Sequence, residues 1–94
     1  MSKIKDALLR RNTTITLGDL VFECTRPSAI DLIEAIEFTS HSADKLSGWL
    51  VARHLVENGQ PVFKDHLEAL EQCDCHLLGK LAFQIESLYN EGKD

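Results

Sequence analysis

Apolar and polar side chains alternate through residues 13–25, which is the two-residue period of β-strands. Gly18-Asp19 interrupts the alternation, and glycine in the first central position suits a two-residue type II′ turn. If Leu17 faces Leu20 across this turn, the apolar side chains lie on one face, which consists of Ile15, Leu17, Leu20, Phe22 and Cys24. In the same register Ile15 faces Phe22 and Thr13 faces Cys24. The sequence predicts a β-hairpin whose apolar face and edges need cover from helices, another strand or another subunit.

The period lengthens to that of an α-helix after Pro27 and predicts four main helices. Their expected ranges are 28–38, 42–57, 65–73 and 75–90. The first helix has an apolar stripe that predicts a well-packed segment, and this stripe consists of Ile30, Leu32, Ile33, Ala35 and Ile36. The last helix has a cleaner stripe, formed by Leu78, Leu81, Ala82, Ile85, Leu88 and Tyr89. The expected fold is α+β and mainly α, with the hairpin first and about four short helices after it.

Capping residues mark the expected helix starts. Ser28 and Asp31 have the spacing of a capping box, and so do Asp65 and Glu68. Asp74 is a further candidate cap for the last helix. Residues 39–42 form a cap-rich break between the first two helices. Inside the second helix, a glycine at position 48 permits the close approach of a neighbouring element.

Asn58-Gly59 has two possible interpretations. The pair is a common hairpin turn, but here it follows a helical stripe and precedes Pro61, which is typical of a helix C-terminus. We therefore interpret Asn58-Gly59 as the stop of the second helix. Val62-Phe63 is then expected to be a short extended segment before the third helix.

The size of the chain indicates a single domain. Its 94 residues amount to 10.6 kDa, with 44% hydrophobic and 27% charged residues, which is an ordinary globular composition. We expect an N-terminal leader at 1–12 and one domain at 13–92. Ile4 and Leu8 are four residues apart, so a short amphipathic helix is possible within residues 3–11 of the leader.

Charge and cysteine content restrict the partners and the compartment. The net charge is −5, although the first eleven residues carry +3, so the remaining chain carries −8 and repels nucleic acid and anionic lipid. No apolar run approaches the roughly 20 residues needed to cross a bilayer. Three cysteines, an odd number, fit a reducing compartment. We expect a cytoplasmic protein that binds neither nucleic acid nor membrane.

Cys73-Asp74-Cys75-His76 is the one cluster that suggests a metal site, with His66 seven residues before Cys73. The spacing argues against zinc, because residues two apart on a helix point about 200° apart and Cys-x-Cys lacks the usual gap of zinc ligands. We therefore interpret the two cysteines as semi-buried thiols at a helix junction, and we expect no metal and no cofactor.

Other candidate residues have ordinary structural explanations. Asp65, Glu68 and Glu71 share a helical flank that we interpret as a solvated face. Trp49 lies on an apolar stripe and is expected in the core rather than in a ligand platform. For Phe63 a docking role and a place in the core both remain open. A Cys/His nucleophilic pair is not supported for any histidine in the chain; these are His41, His54, His66 and His76. We expect no catalytic residue and no enzymatic activity.

The order of segments resembles that of tail assembly chaperones of long-tailed bacteriophages and prophages. The segments are a threonine-rich hairpin, Trp49-Leu50-Val51-Ala52, Asn58-Gly59-Gln60-Pro61-Val62-Phe63, the acidic Asp65-His66-Leu67-Glu68-Ala69-Leu70 and a final leucine-striped helix. The likeness covers about residues 13–92, and its motifs are a turn and helix caps of low specificity. No family binding residue can be carried over, so the partner-binding residues stay unassigned.

The resemblance implies a non-enzymatic role in virion assembly. Such a protein binds the tail tape-measure protein, keeps its long apolar helices soluble and helps to recruit tail-tube subunits in the host cytoplasm. We also expect homo-oligomers that use apolar surface the lone domain does not cover. Two other classes remain open. One is a small tail-completion or head-tail adaptor protein, and the other is a regulatory protein that binds metal through Cys73, Cys75 and His76.

Overall fold

The computed structural model describes residues 3–9, 11–39 and 43–90. There the chain forms a four-stranded antiparallel sheet in the order β1-β2-β3-β4, together with five helices. The elements in chain order are α1 (Lys3–Leu8), β1 (Asn12–Leu17), β2 (Leu20–Thr25), α2 (Ala29–Thr39), α3 (Ala43–His54), β3 (Leu55–Glu57), β4 (Gln60–Pro61), α4 (His66–Gln72) and α5 (Cys75–Tyr89). The expected fold class is confirmed. The break expected at 39–42 falls largely outside the described residues.

The N-terminal hairpin has the predicted register. Leu17 pairs with Leu20, and the two further predicted pairs are also present, Ile15 with Phe22 and Thr13 with Cys24. Gly18 has φ +60°, while Asp19 is not in the left-handed region, as a type II′ turn requires. At the base of the hairpin Ile15 and Cys24 are buried, whereas Leu20 at the tip is exposed. The rest of the chain therefore covers the apolar face of the hairpin only in part.

A second hairpin corrects the interpretation of Asn58-Gly59 as a helix stop. Helix α3 ends at His54 rather than at residue 57, and Leu55–Glu57 forms a strand beside β2. Asn58 and Gly59 have φ of 54° and 80°, the pair of left-handed residues that a type I′ turn needs. The open edge of β2 supplies backbone hydrogen-bond partners for Leu55 and Val56. Strand pairing is therefore favoured at these residues over the continued helix that the apolar pattern predicts. The extended segment accordingly begins at Gln60 rather than at Val62.

The core lies between the sheet and the helices α3, α4 and α5. Its buried apolar side chains are Ile15, Cys24, Leu50, Val51, Leu55, Ala69, Leu78, Leu81, Ala82 and Ile85. Helix α4 approaches α3 at Gly48, where an added Cβ would lie 2.6 Å from Leu70 Cγ. The expected close approach at this glycine is confirmed. The predicted stripe of α5 is also confirmed, since four of its positions are buried and Leu88 and Tyr89 are half-buried.

The predicted caps form as side-chain hydrogen bonds. Ser28 N donates to Asp31 Oδ2 at 2.9 Å, and Asp31 N donates to Ser28 Oγ at 3.4 Å, the reciprocal pair of a capping box. Asp65 Oδ1 accepts from Glu68 N at 2.9 Å. Asp74 Oδ1 accepts from the first amides of α5, those of His76 and Leu77. The starts of α2, α4 and α5 therefore follow from local sequence.

Helix α2 is oriented opposite to the expectation. Its isoleucines are more exposed than buried: Ile30, Ile33 and Ile36 are 52%, 53% and 66% exposed. Asp31, on the other side of the helix, is completely buried. The prediction that this apolar stripe is well packed is wrong. A buried carboxylate needs hydrogen-bond partners, and these partners lie on α3 and at the start of α2 itself.

Candidate interaction surfaces

A polar network fixes the orientation of α2. Arg53 Nε, on α3, donates to Asp31 Oδ1 at 2.7 Å, while the other carboxylate oxygen accepts from the Ser28 amide. Burial by itself raises the pKa of Asp31, but the Ser28 amide, Arg53 and the Ser28 hydroxyl outweigh it, so the pKa is lowered. Burial likewise lowers the pKa of Arg53, and the carboxylate of Asp31 outweighs this effect and raises it. The carboxylate is therefore ionised and saturated with partners.

Two further contacts hold the inner side of α2 against α3. Arg53 Nη2 lies 3.0 Å from Glu34 Oε2 in a half-exposed ion pair. The guanidinium also lies over the Trp49 ring at 5.6 Å, and Phe38 stacks on Trp49 with ring centroids 6.1 Å apart. Polar and aromatic groups thus face inward, and the aliphatic side chains of α2 face outward.

The outward side of α2 forms a surface that we call the isoleucine face. It consists of the exposed side chains Ile30, Leu32, Ile33 and Ile36. One eleven-residue helix thus exposes four large aliphatic groups, and exposed apolar patches in soluble proteins mark interaction sites. The hydrophobic period did indicate these positions, but it gave no signal that they would remain uncovered by the chain's own residues.

Helix α1, like α2, exposes apolar side chains. Ile4 is 74% exposed and Leu8 is 79% exposed. The C-terminal end of α1 is beside the start of α2, because Leu8 and Leu9 line a cleft together with Pro27 and Ile30. Arg26 N also donates to Arg11 O at 2.9 Å, which fixes the end of the leader beside the start of α2.

A groove lies between the hairpin tip and α5, and we call it the hairpin–α5 groove. It has a volume of about 460 Å³ and is lined by Leu17, Cys75, His76, Gly79, Lys80, Phe83 and Gln84. Phe83 is 73% exposed, and an added Cβ at Gly79 would meet no atom within 4 Å. The groove is therefore open, and its lining combines apolar side chains such as Leu17 and Phe83 with polar ones such as Lys80 and Gln84.

His54 forms a buried junction between the sheet and α5. Its Nδ1 lies 3.0 Å from both the backbone O and the Oγ1 of Thr25, and its Nε2 bonds the hydroxyl of Tyr89. Because a carbonyl oxygen only accepts, Nδ1 donates to the backbone O of Thr25. His54 thus acts as a structural bridge between β2 and α5, a role that the sequence pattern did not reveal.

The cysteine cluster is spread along the junction between α4 and α5. Cys73 is the C-cap of α4 and is half-buried, which raises the pKa of its thiol, whereas Cys75 is exposed in the first turn of α5. Among the residues that the structure describes, no group of three or more His, Cys, Asp or Glu side chains is placed to hold a metal ion. The expectation of no metal site stays a prediction.

The remaining candidates have structural positions. Asp65 caps α4, and Glu68 accepts from the Lys64 amide at 3.2 Å, so two members of the acidic run serve the helix start. Trp49 and Phe63 are half-buried and pack against the core, which favours the core interpretation for both. Burial, followed by the charge of Glu23, raises the pKa of the Cys24 thiol to about 11, so it is a poor nucleophile.

His66 lies edge-on to Phe38 at 5.1 Å between ring centroids, and His76 is exposed on the rim of the hairpin–α5 groove. His41 lies outside the described residues. That no Cys/His pair in the chain acts as a nucleophile, and that the protein has no catalytic residue, stay predictions.

Comparison with known proteins gives no relative. No protein-family model, no curated protein and no solved structure matches the chain. Within the ranges 3–9, 11–39 and 43–90, no helix is both long and apolar enough to cross a membrane. Any assignment of function therefore depends on the exposed apolar surfaces described above and on the resemblance in segment order.

Proposed function

We propose that this protein is a non-enzymatic tail assembly chaperone of a long-tailed bacteriophage or prophage, which binds the tape-measure protein in the cytoplasm of the bacterial host. One observation carries the proposal: the hairpin–α5 groove is open and apolar in a chain too small to leave such surface uncovered without a use. The segment order from the hairpin to the leucine-striped last helix supports the same assignment. In that role the protein keeps the tape-measure helices soluble and helps to recruit tail-tube subunits.

The groove suits one face of an amphipathic helix. Phe83 and Leu17 offer apolar contacts, and Gly79, which also lines the groove, leaves room for a partner backbone. An aromatic side chain buries on the order of 150–250 Å², which at about 25 cal/mol per Å² makes Phe83 the largest single contributor to binding. The acidic remainder of the chain keeps the loaded complex soluble.

Co-expression with a tape-measure fragment from the same genome tests the proposal. We expect this protein to raise the soluble fraction of the fragment and to co-purify with it. Phe83→Lys should abolish both effects while the variant keeps its helical circular dichroism, because Phe83 is 73% exposed and contributes little to the fold. Val21→Lys is the matched control, since Val21 is also exposed and lies on the other face of the hairpin.

A fragment that stays insoluble with the wild-type protein would contradict the chaperone role. Equal loss of binding with Phe83→Lys and Val21→Lys would contradict the groove as the binding site. A tail-completion or head-tail adaptor protein would leave the tape-measure fragment unaffected, and a tape-measure gene immediately downstream of this coding sequence favours the chaperone over such an adaptor. Metal analysis of the wild-type protein and of Cys73→Ser/Cys75→Ser tests the regulatory metal-binding class.

A further inference from the structure

We propose that strand β1 pairs with β1 of a second copy of this chain, so that two copies form a dimer with two-fold symmetry and a continuous antiparallel sheet. Both halves of such a contact are identical. The contact uses backbone groups along the edge of the sheet, whereas the hairpin–α5 groove is lined by side chains of α5 and by Leu17. The proposal therefore does not depend on the function proposed above.

The backbone groups of β1 that point away from the sheet follow from the hydrogen bonds of the hairpin. Arg26 N donates to Arg11 O at 2.9 Å, so Arg11 directs its backbone toward β2 and its continuation. Since the backbone direction alternates along a strand, every second residue after it also faces β2. The residues between them face outward and have exposed side chains, and these are Asn12, Thr14 and Thr16. No strand of the described residues lies on that side of β1, so the outward N–H and C=O groups are available to another strand.

The two edges of the sheet differ in how well they resist pairing. Proteins block the edges of sheets with short strands, proline and charged side chains. At one edge, β4 has only two residues, and Pro61 lacks an N–H donor. At the other edge, β1 has six residues and contains neither proline nor a charged side chain. Edge pairing is therefore expected at β1 and not at β4.

Two copies of β1 fit each other in an antiparallel register with Thr14 on the two-fold axis. Thr14 then faces Thr14 of the second copy, and Asn12 of each copy faces Thr16 of the other. All these positions direct their backbones outward, so each pair exchanges its N–H and C=O groups as in an ordinary antiparallel ladder. The central pair also places threonine opposite threonine, which stabilises neighbouring strands.

The charges at the two ends of β1 select a second copy as the partner. Because β1 itself is uncharged, two identical strands place no like charges opposite each other. Arg11 directly precedes the strand, and Asp19 follows it in the turn. In the antiparallel register Arg11 of each copy lies diagonally across from Asp19 of the other, within reach of the long arginine side chain. The ends of the strand are thus complementary to those of an identical strand.

Sedimentation of the full chain across a concentration series tests the dimer. We expect a monomer–dimer equilibrium in the wild-type protein. Thr14→Pro should raise the dissociation constant at least about tenfold, because proline removes an outward donor at the centre of the contact. Edge strands tolerate proline when the missing N–H faces solvent, so the variant should keep the wild-type circular dichroism spectrum. Thr14→Val is the matched control, since it keeps the N–H and a β-branched side chain and should leave the dissociation constant unchanged.

A charge exchange tests the antiparallel orientation. Arg11→Asp and Asp19→Arg should each weaken the dimer at least about threefold, because each places like charges across the contact. The double variant Arg11→Asp/Asp19→Arg should recover the wild-type dissociation constant. Since the two residues lie at opposite ends of one strand, recovery requires a contact between copies. A double variant as weak as the single variants overturns the proposed register.

Amide hydrogen exchange followed by NMR identifies the edge that pairs. The amides of Thr14 and Thr16 should exchange slowly in the dimer and lose this protection on dilution, because they are hydrogen-bonded only between copies. The amide of Ile15 is the internal control, since it faces β2 and should stay protected at every concentration. A strictly monomeric protein, or a dimer unaffected by Thr14→Pro, overturns the proposal. A dimer in which the amides of Thr14 and Thr16 exchange freely also overturns it, since the copies then meet elsewhere.

Discussion

Helices α2 and α5 have similar apolar stripes in the sequence, but the protein buries the stripe of α5 and exposes that of α2. On α5 the side chain of Ile85 is completely buried, while on α2 Ile36 is 66% exposed. The fully buried residue of α2 is instead an aspartate. Hydrophobic periodicity therefore identifies which face of a helix is apolar, and it leaves open whether the covering surface belongs to the same chain.

The difference arises from the polar groups of the two helices. Helix α5 has no buried charged residue among its stripe positions, so its orientation follows the apolar side chains. On α2, Asp31 joins the capping hydroxyl of Ser28 to Arg53, and turning the isoleucines inward would break this network. Breaking a buried charged pair costs about 3–5 kcal/mol. This cost offsets most of what the three isoleucines, which are already about half-buried, would gain at about 1.5–3 kcal/mol for each fully exposed side chain.

The largest expected effect is that of removing a buried side chain from α5. Ile85→Ala should lower the free energy of unfolding by about 2–5 kcal/mol, because Ile85 is completely enclosed by the core. Urea denaturation followed by circular dichroism measures the change. A loss below about 0.5 kcal/mol would mean that the α5 stripe is not the centre of the core.

Next in size is the effect of neutralising Asp31. Asp31→Asn should lower the free energy of unfolding by about 1–3 kcal/mol, because the charge of Asp31 is lost and Arg53 Nε no longer donates to a carboxylate. The folded pKa of Asp31 lies below its usual 3.8, so wild-type stability is complete above that value and declines as the pH falls through the lowered pKa. Urea denaturation between pH 3 and pH 7 should show a gap between wild type and variant that narrows in acid. A constant gap would contradict the ionised network.

A smaller effect is expected at the contact between α3 and α4. Gly48→Ala adds a methyl group 2.6 Å from Leu70 Cγ and 3.0 Å from the His66 carbonyl oxygen, so the two helices must move apart. Overpacking lowers the free energy of unfolding by about 1–3 kcal/mol, and the higher helix propensity of alanine raises it by up to about 1 kcal/mol. We expect a net loss of about 1 kcal/mol in thermal or urea unfolding. Gly79→Ala is the matched control, since its methyl group meets no neighbour and the variant should be as stable as wild type or more stable.

The smallest expected effect completes the comparison of the two helices. Ile33→Ala should change the unfolding free energy by no more than about 0.5 kcal/mol when measured at a concentration where the protein is monomeric, because Ile33 is 53% exposed. A large loss in the monomer would show that α2 packs through its isoleucines after all.

Local chemistry made part of this fold predictable. The pairing of Leu17 with Leu20 follows from a turn of defined geometry, and the starts of α2 and α5 follow from Ser28 and Asp74, whose partners lie within three residues. The strand at Leu55–Glu57 could not be predicted, because its partner β2 lies some thirty residues away and its apolar pair fits either a helix or a strand. The orientation of α2 depends likewise on Arg53, which is distant in sequence from Asp31.

For the surfaces, the sequence predicts that the apolar face of the hairpin needs cover and leaves open whether the chain itself supplies it, while it places the isoleucine face in the core. The sequence names the apolar residues of α2 correctly but contains no local signal for the ion pair that turns them outward. The sequence does not identify Phe83 as a binding residue, because Phe83 lies off the α5 stripe. An isolated aromatic residue next to a buried stripe does not show whether a groove lies beside it.

The pairing of Cys24 with Leu55 also sets an order of folding events. The first hairpin closes over two residues and can form in microseconds, whereas β3 reaches β2 only after α2 and α3 have brought the chain back. The entropic cost of closing this long loop must be offset by the pairing of β3 with β2 and by the burial of Leu55 and His54. We therefore expect the sheet to be completed late, and until then the newly made chain exposes the edge of β2.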